Sequence, residues 1–396
     1  VLKNLKFWEN IKKHKMEQFS DRLKNLKEYY FSVKLKEVNK LIKSGQNIIN
    51  MAIGNPDISP HYDVEMALSN SLKNEKSHMY QSYQGIPELR SSIAKYYERK
   101  YKIYLEKNSE ILPLMGSKEG IIHISLAFLN KGDRVLIPNP GYPTYLSASK
   151  LVEAEPVFYA LEESNDWYPD IEKLKSLNLK SIKMMWINYP NMPTGSNFDE
   201  QKLSEIVEFT KAKNIILIND NPYSVILNDS PKSIFNVRNS FDSCLELNSL
   251  SKSHNIPGWR VGMVVGSRDK IDKILKVKSN MDSGMFYGIQ IGAVKALNLP
   301  DTWFNILNRQ YEERKKLVLK FCEILHLKIQ RGSVGMFVWA KIPNNQNSYN
   351  YVENLLNTHK IFITPGIIFG SLGEGYVRIS LCLKVKKIKE AINRLK

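Results

Sequence analysis

The segment DEQKLSEIVEFTKAKNIILIND, residues 199–220, decides the fold. Leu203, Ile206 and Val207 share one face at helical spacing, and Asp199 stands where a helix takes its N-cap. The run 215–218 that follows is continuously apolar and ends on the polar pair Asn219-Asp220. A helix leading into a buried strand is half of a strand–helix–strand unit. The same alternation extends outward over about residues 110–266, with apolar runs at 111–114, 135–138, 184–188, 245–248 and 261–265. Between the first two, residues 119–129 are apolar nearly all round and predict a buried helix. Strands alternating with helices predict an α/β domain with a mostly parallel sheet covered on both faces, and ligands in such sheets bind beyond the carboxyl ends of the strands.

The C-terminal third has another pattern. Helices are expected at 303–325 and 349–359, strands near 336–342, 361–364 and 377–381, and a last helix after them. This predicts a smaller α+β unit, against which a helix at 21–43 packs. The expected organisation is an appendage at 1–18, a small domain from both termini (19–50 and 296–396), and a large domain at 51–295. A chain of 396 residues suits two packed domains.

No apolar run is long enough to span a bilayer. The three cysteines, Cys244, Cys322 and Cys382, have neither metal-ligand spacing nor a paired framework, so no metal is expected and a cytoplasmic location fits. The Lys-rich 1–15 stretch lacks the features of a presequence, and Met16 is an alternative start. Lys and Arg number 57 against 40 Asp and Glu, a formal charge of +17. The lysines are interspersed with acids and no nucleic-acid-reading motif occurs, so the charge points to no nucleic acid; it suits steering of anionic metabolites.

Chemistry concentrates at the ends of the predicted strands. Lys252 follows one in Ser249-Leu250-Ser251-Lys252, and Arg260 stands eight residues on in Pro257-Gly258-Trp259-Arg260-Val261-Gly262. A lysine amine condenses with an aldehyde cofactor, and an arginine with small hydroxyls holds a phosphate. The turn Asn188-Tyr189-Pro190-Asn191-Met192-Pro193-Thr194-Gly195 ends another strand, and Asp220-Asn221-Pro222-Tyr223 a third. Taken singly, these have ordinary readings: a surface lysine, a Pro/Gly turn, a helix cap.

Together, and in this order with Gly116-Ser117, the motifs resemble the class I/II aminotransferases of the fold-type I pyridoxal-phosphate-dependent family, over about residues 53–381. The nearest likeness is to the diaminopimelate aminotransferase branch, through the Gly-Ser-Lys-Glu-Gly turn at 116–120, Gly54-Asn55-Pro56-Asp57 and Asp282-Ser283-Gly284. The resemblance implies pyridoxal 5'-phosphate carried on Lys252, which also shuttles the substrate proton. It implies Asp220 on the pyridine nitrogen and Tyr223 on the ring's phenolic oxygen, with Asn191 beside it. Ser249, Arg260 and the turn Gly116, Ser117 and Lys118 would hold the phosphate, the turn being a helix N-terminus and so an anion site in its own right. Tyr142 would stack on the ring. Arg378 would clamp the substrate α-carboxylate, with Gly54 beside the substrate. Tyr80 would reach the phosphate of a neighbouring subunit, implying a homodimer with shared sites. One departure stands out: the residue before Pro193 is Met192, where the family usually has an asparagine, and methionine cannot donate that hydrogen bond.

The expected reaction is transamination between an L-amino acid and a 2-oxo acid, with glutamate/2-oxoglutarate as one pair. Residues 279–292, expected near the partner's site, contain no Lys or Arg, which argues against an arginine there that reads a second carboxylate. Diaminopimelate, aspartate, aromatic amino acids and methionine stay open as donors. A carbon–sulfur lyase on the same scaffold and a non-catalytic binding module are the alternatives.

Overall fold

The computed structural model describes residues 20–24, 26, 28, 30–330 and 332–396. The expected appendage at 1–18 lies outside them. In chain order the strands are β1 (Ile49–Asn50), β2 (Ile111–Leu114), β3 (Arg134–Asn139), β4 (Glu155–Ala160), β5 (Ile182–Ile187), β6 (Ile216–Asp220), β7 (Cys244–Ser249), β8 (Gly262–Gly266), β9 (Lys328–Ile329), β10 (Phe337–Lys341), β11 (Ile361–Phe362), β12 (Thr364–Pro365) and β13 (Tyr376–Ser380).

Seven strands form the main sheet in the order β2-β8-β7-β6-β5-β3-β4. All neighbouring pairs are parallel except those made by β8, which runs antiparallel to both β2 and β7. The inner strands β5 to β8, and the edge strand β2, are buried along nearly their whole length, as the unbroken apolar runs require. The edge strand β4 has no counterpart among the expected runs. Glu155 and Pro156 begin it and Phe158 is exposed, so this edge lies open, unlike the opposite edge strand β2, which is buried throughout.

The helix Glu200–Ala212 starts where expected, with Asp199 accepting from Lys202 N–H at 3.0 Å, and buries Leu203, Ile206 and Val207. The helix Ser117–Phe128 is not buried all round: Gly120, Ile121 and Ile124 face the sheet while Leu126 is exposed. Hydrophobicity on every face did not identify the side that packs. At the N-terminus the helix is Tyr30–Lys43, preceded by a single 3₁₀ turn at Asp21–Leu23, and not one element from residue 21. The buried spacing Phe31, Lys34, Val38 marks the part with a surface to pack on.

A separate antiparallel sheet, β12-β13-β10-β9, comes entirely from the C-terminal third. The stretch expected as one strand at 361–364 is two. Ile361–Phe362 pairs in parallel with β1, bringing the N-terminal segment alongside, while Thr364–Pro365 pairs with β13. Among the described residues no helix is long and apolar enough to cross a membrane.

Candidate active site

Because β3, β5, β6 and β7 run parallel, their carboxyl ends share one edge of the sheet. Asp220 ends β6, Ser249 ends β7, Asn188 follows β5, and Lys252 stands in the one-turn helix Leu250–Ser253 directly after β7. They border a cavity of about 480 Å³. Besides Met192, ten of the residues singled out from sequence line it: Gly54, Ser117, Lys118, Tyr142, Asp220, Tyr223, Ser249, Lys252, Arg260 and Arg378. Lys118, Lys252, Arg260 and Arg378 are cationic and only Asp220 is acidic, so the wall suits an anion-bearing ligand.

Asp220 is buried, with Oδ2 accepting from Tyr145 Oη at 2.9 Å and Oδ1 lacking a hydrogen-bond partner. Burial, opposed by the Tyr145 hydrogen bond and assisted by Glu246, pushes its carboxyl up to about 7. A buried carboxylate oxygen without a donor needs a proton or a cation. Tyr145 stacks on Trp186 (ring centroids 5.0 Å apart) and meets Tyr142 edge to face at 5.6 Å. It stands three residues after Tyr142, one helical turn away, and was not among the residues singled out from sequence. That spacing was the available signal.

At the other end of the cavity, Arg260 adopts left-handed backbone (φ +56°) and donates from Nη1 to Pro257 O at 2.8 Å. Its guanidinium lies across Gly116, where a Cβ would stand 2.1 Å from Nη2. Only glycine leaves the arginine beside the N-terminus of the helix Ser117–Phe128. Ser249 Oγ donates to Ser251 Oγ at 3.0 Å, and Ser251, not singled out from sequence, lines the cavity as a second hydroxyl. Burial, then the neighbouring Arg260, lowers the proton affinity of Lys118.

Lys252 Nζ donates to the Gly54 carbonyl at 2.6 Å. Burial above all, with the charges of Arg378 and Arg260 contributing, holds its ammonium below the usual lysine range. Arg378, on β13, is buried; Nη2 donates to Ala52 O at 2.9 Å, and Nη1 lies 3.1 Å from Met192 Sδ. The guanidinium carbon sits 4.0 Å from the Phe337 ring centroid and 4.8 Å from that of Phe369. Phe31, Leu35, Ile53, Met192 and Phe337 complete this part of the wall. Apart from Met192, none of these five was singled out from sequence, since each sits in an apolar pattern that reads as ordinary core.

Three expected residues are not on this wall. Gly116 acts from behind Arg260. Tyr80 is 91% exposed, outside the cavity of its own chain. Asn191 does not line the cavity: its Oδ1 accepts from Thr194 N and Oγ1 at 3.2 and 2.8 Å, its buried Nδ2 has no hydrogen-bond partner, and the neighbouring Met192 faces the cavity. Elsewhere, Glu119, His123 and Asp282 are the one triad of metal-type side chains among the described residues, and Lys278 Nζ already stands 2.8 Å from Asp282.

Comparison with known proteins identifies the family. The family model "Aminotransferase class I and II" matches residues 46–395. The chain is 37% identical to an LL-diaminopimelate aminotransferase of Aquifex aeolicus, covering 96% of this chain and 99% of that protein. It is 36% identical to the enzyme of the same name from Natranaerobius thermophilus, covering 96% and 98%. The solved apo-BacF structure from Bacillus subtilis superposes with a TM-score of 0.92 at 34% identity, covering 96% and 98%. A lysine, an aspartate and two arginines around one cavity at the strand ends, on a chain matched nearly end to end, make this protein a member of the class I and II aminotransferases.

Proposed function

We propose that the chain binds pyridoxal 5'-phosphate in this cavity and transfers an amino group between an L-amino acid and a 2-oxo acid, with glutamate/2-oxoglutarate as one pair. The observation that carries the reading is the unpartnered Oδ1 of Asp220 in a cavity that also holds Lys252. A pyridinium N–H would supply what that oxygen lacks, and Gly116 lets the Arg260 guanidinium lie against the helix N-terminus, where the two together suit a phosphate. When bound, pyridoxal phosphate supplies the aldehyde and the electron sink that transamination needs.

The residues then divide the work. Asp220 keeps the ring nitrogen protonated, and Tyr145 fixes the orientation of its carboxylate. Ser249, Ser251, Arg260 and the backbone N–H of Ser117 would hold the phosphate, and Tyr142 would lie against the ring. Tyr223 Oη would donate to the ring's phenolic oxygen. Arg378 takes the α-carboxylate in a two-pronged clasp. Lys252 Nζ, its proton affinity lowered by burial, would be the base that takes the proton from the substrate Cα.

Tyr80 takes part through a second copy of the chain. Its surroundings support this: Met79, Met281, Tyr83 and Phe286 are all exposed, and Gln81 packs against Gly284, so the two segments present one apolar face.

The relatives' name suggests LL-diaminopimelate as donor. The apolar wall of Phe31, Leu35, Ile53 and Met192 favours a second reading, an aromatic amino acid or methionine. A panel of donors with 2-oxoglutarate, read as glutamate formed, tests both. Ammonia and pyruvate released from cystathionine without any 2-oxo acid would indicate a carbon–sulfur lyase instead, and protein that cannot be reconstituted with the cofactor would end the proposal.

A further inference from the structure

Arg314 lies on the helix Asp301–Ile324, buried and outside the cavity. Its Nη1 and Nη2 reach Asp57 Oδ1 and Oδ2 at 2.6 and 3.1 Å, and Nη1 also donates to Leu381 O at 3.1 Å. Both ends of this contact lead into the site. Leu381 directly follows β13, the strand of Arg378. Asp57 lies three residues after Gly54, whose carbonyl accepts from Lys252 Nζ at 2.6 Å. Gly54 is also pressed against Phe337, with room for no side chain: a Cβ there would stand 2.3 Å from Cζ. Phe337 carries the contact on to the Arg378 guanidinium 4.0 Å from its ring centroid.

An ion pair between the buried Arg314 and the solvent-accessible Asp57 is a poor means of gaining stability, because water screens the attraction while desolvation of the arginine still opposes it. A two-pronged one is a good means of fixing a segment's position. We propose that Asp57 and Arg314 are positioning residues, whose ion pair holds the segment 54–57 so that the Gly54 carbonyl fixes one N–H of Lys252 whenever that amine is free. With one N–H so held, the amine's lone pair is presented to the Cα–H of the donor. Nζ takes the proton, and the C–H electron pair stays with the carbon. The inference rests on the transamination reading above.

The test is a single half-reaction of the holoenzyme with the fastest donor of the panel, in α-protonated and α-deuterated forms, followed by the cofactor's absorbance. Asp57→Asn is expected to slow proton transfer about tenfold and to raise the primary isotope effect, the size of effect that a small misplacement of a general base produces. Affinity of the apo-protein for pyridoxal phosphate should stay where it was. Arg314→Lys, which keeps one prong, should recover part of the rate. Because Asp57→Asn strands a buried charge, the double variant Asp57→Asn/Arg314→Gln removes both; it should fold and remain slow. A double variant with the parent's rate and isotope effect overturns the inference alone, as does a fall in cofactor affinity parallel to the fall in rate. Parent protein that exchanges no amino group with any donor overturns the transamination reading, and this inference with it.

Discussion

The two halves of the cavity are built differently. The half around Asp220, Ser249 and Lys252 is polar and rises from neighbouring strand ends of one sheet. The half around Arg378 is apolar apart from the guanidinium itself, and its walls come from the helix Tyr30–Lys43, the segment 53–54, Met192, β10 and β13. One half is a property of strand order, the other of two sheets and a helix meeting. The first should tolerate distant change and fail on single residues; the second should respond to anything that shifts those segments.

The largest expected effect is in the first half. Lys252→Ala removes both the point of attachment and the general base, and should lower the half-reaction rate by about 10⁴-fold or more, measured at saturating donor. Arg378→Ala comes next. It deletes a buried charge-assisted clasp and should lower kcat/KM by about 10²–10³-fold, while cofactor absorbance is retained. If cofactor binding collapses as well, the two halves are not separable. Gly54→Ala should cost about tenfold in kcat/KM, because the new methyl drives Phe337 off its place under Arg378, an overpacking that costs about 1–3 kcal/mol. A trimmed ring, Gly54→Ala with Phe337→Leu, should recover part of the loss; no recovery would place the fault in the Lys252 contact.

The smallest effect concerns stability, not rate. Folded Asp220 titrates at about 7, far above the ordinary aspartate value near 3.9. Between those values the folded apo-protein holds a proton that the unfolded chain has lost, so this group makes stability fall as pH rises through the window. Asp220→Asn abolishes that contribution. By calorimetry at about pH 5 and about pH 7.5, the apo-variant should lose less Tm between the two pH values than the parent does. A parallel decline in both would mean that Asp220 keeps its ordinary affinity for protons.

How far each half could be read beforehand follows from the same difference. Lys252, Arg260, Asp220 and Ser249 stand in short motifs at strand ends, where the chain must turn and polar residues interrupt an apolar run. The edge strand β4 and the true start of the N-terminal helix were not legible, since both depend on which other segments come to cover them. Met192 shows the limit within a motif. Its identity was plain, and its contact with the Arg378 guanidinium was not. Nor was the turn of the Asn191 amide into its own loop.

By itself, the order of apolar runs and helices determined an α/β sheet with a set of chemically distinctive residues at its carboxyl edge, because backbone hydrogen bonding and burial leave few other ways to satisfy such a pattern. Only the tertiary structure decided which apolar side chains wall the substrate end, that Gly54 meets Lys252, and that Asp57 pairs with Arg314 across 257 positions of chain. Contacts of that kind depend on which faces of distant elements come to lie together, and no local spacing records it.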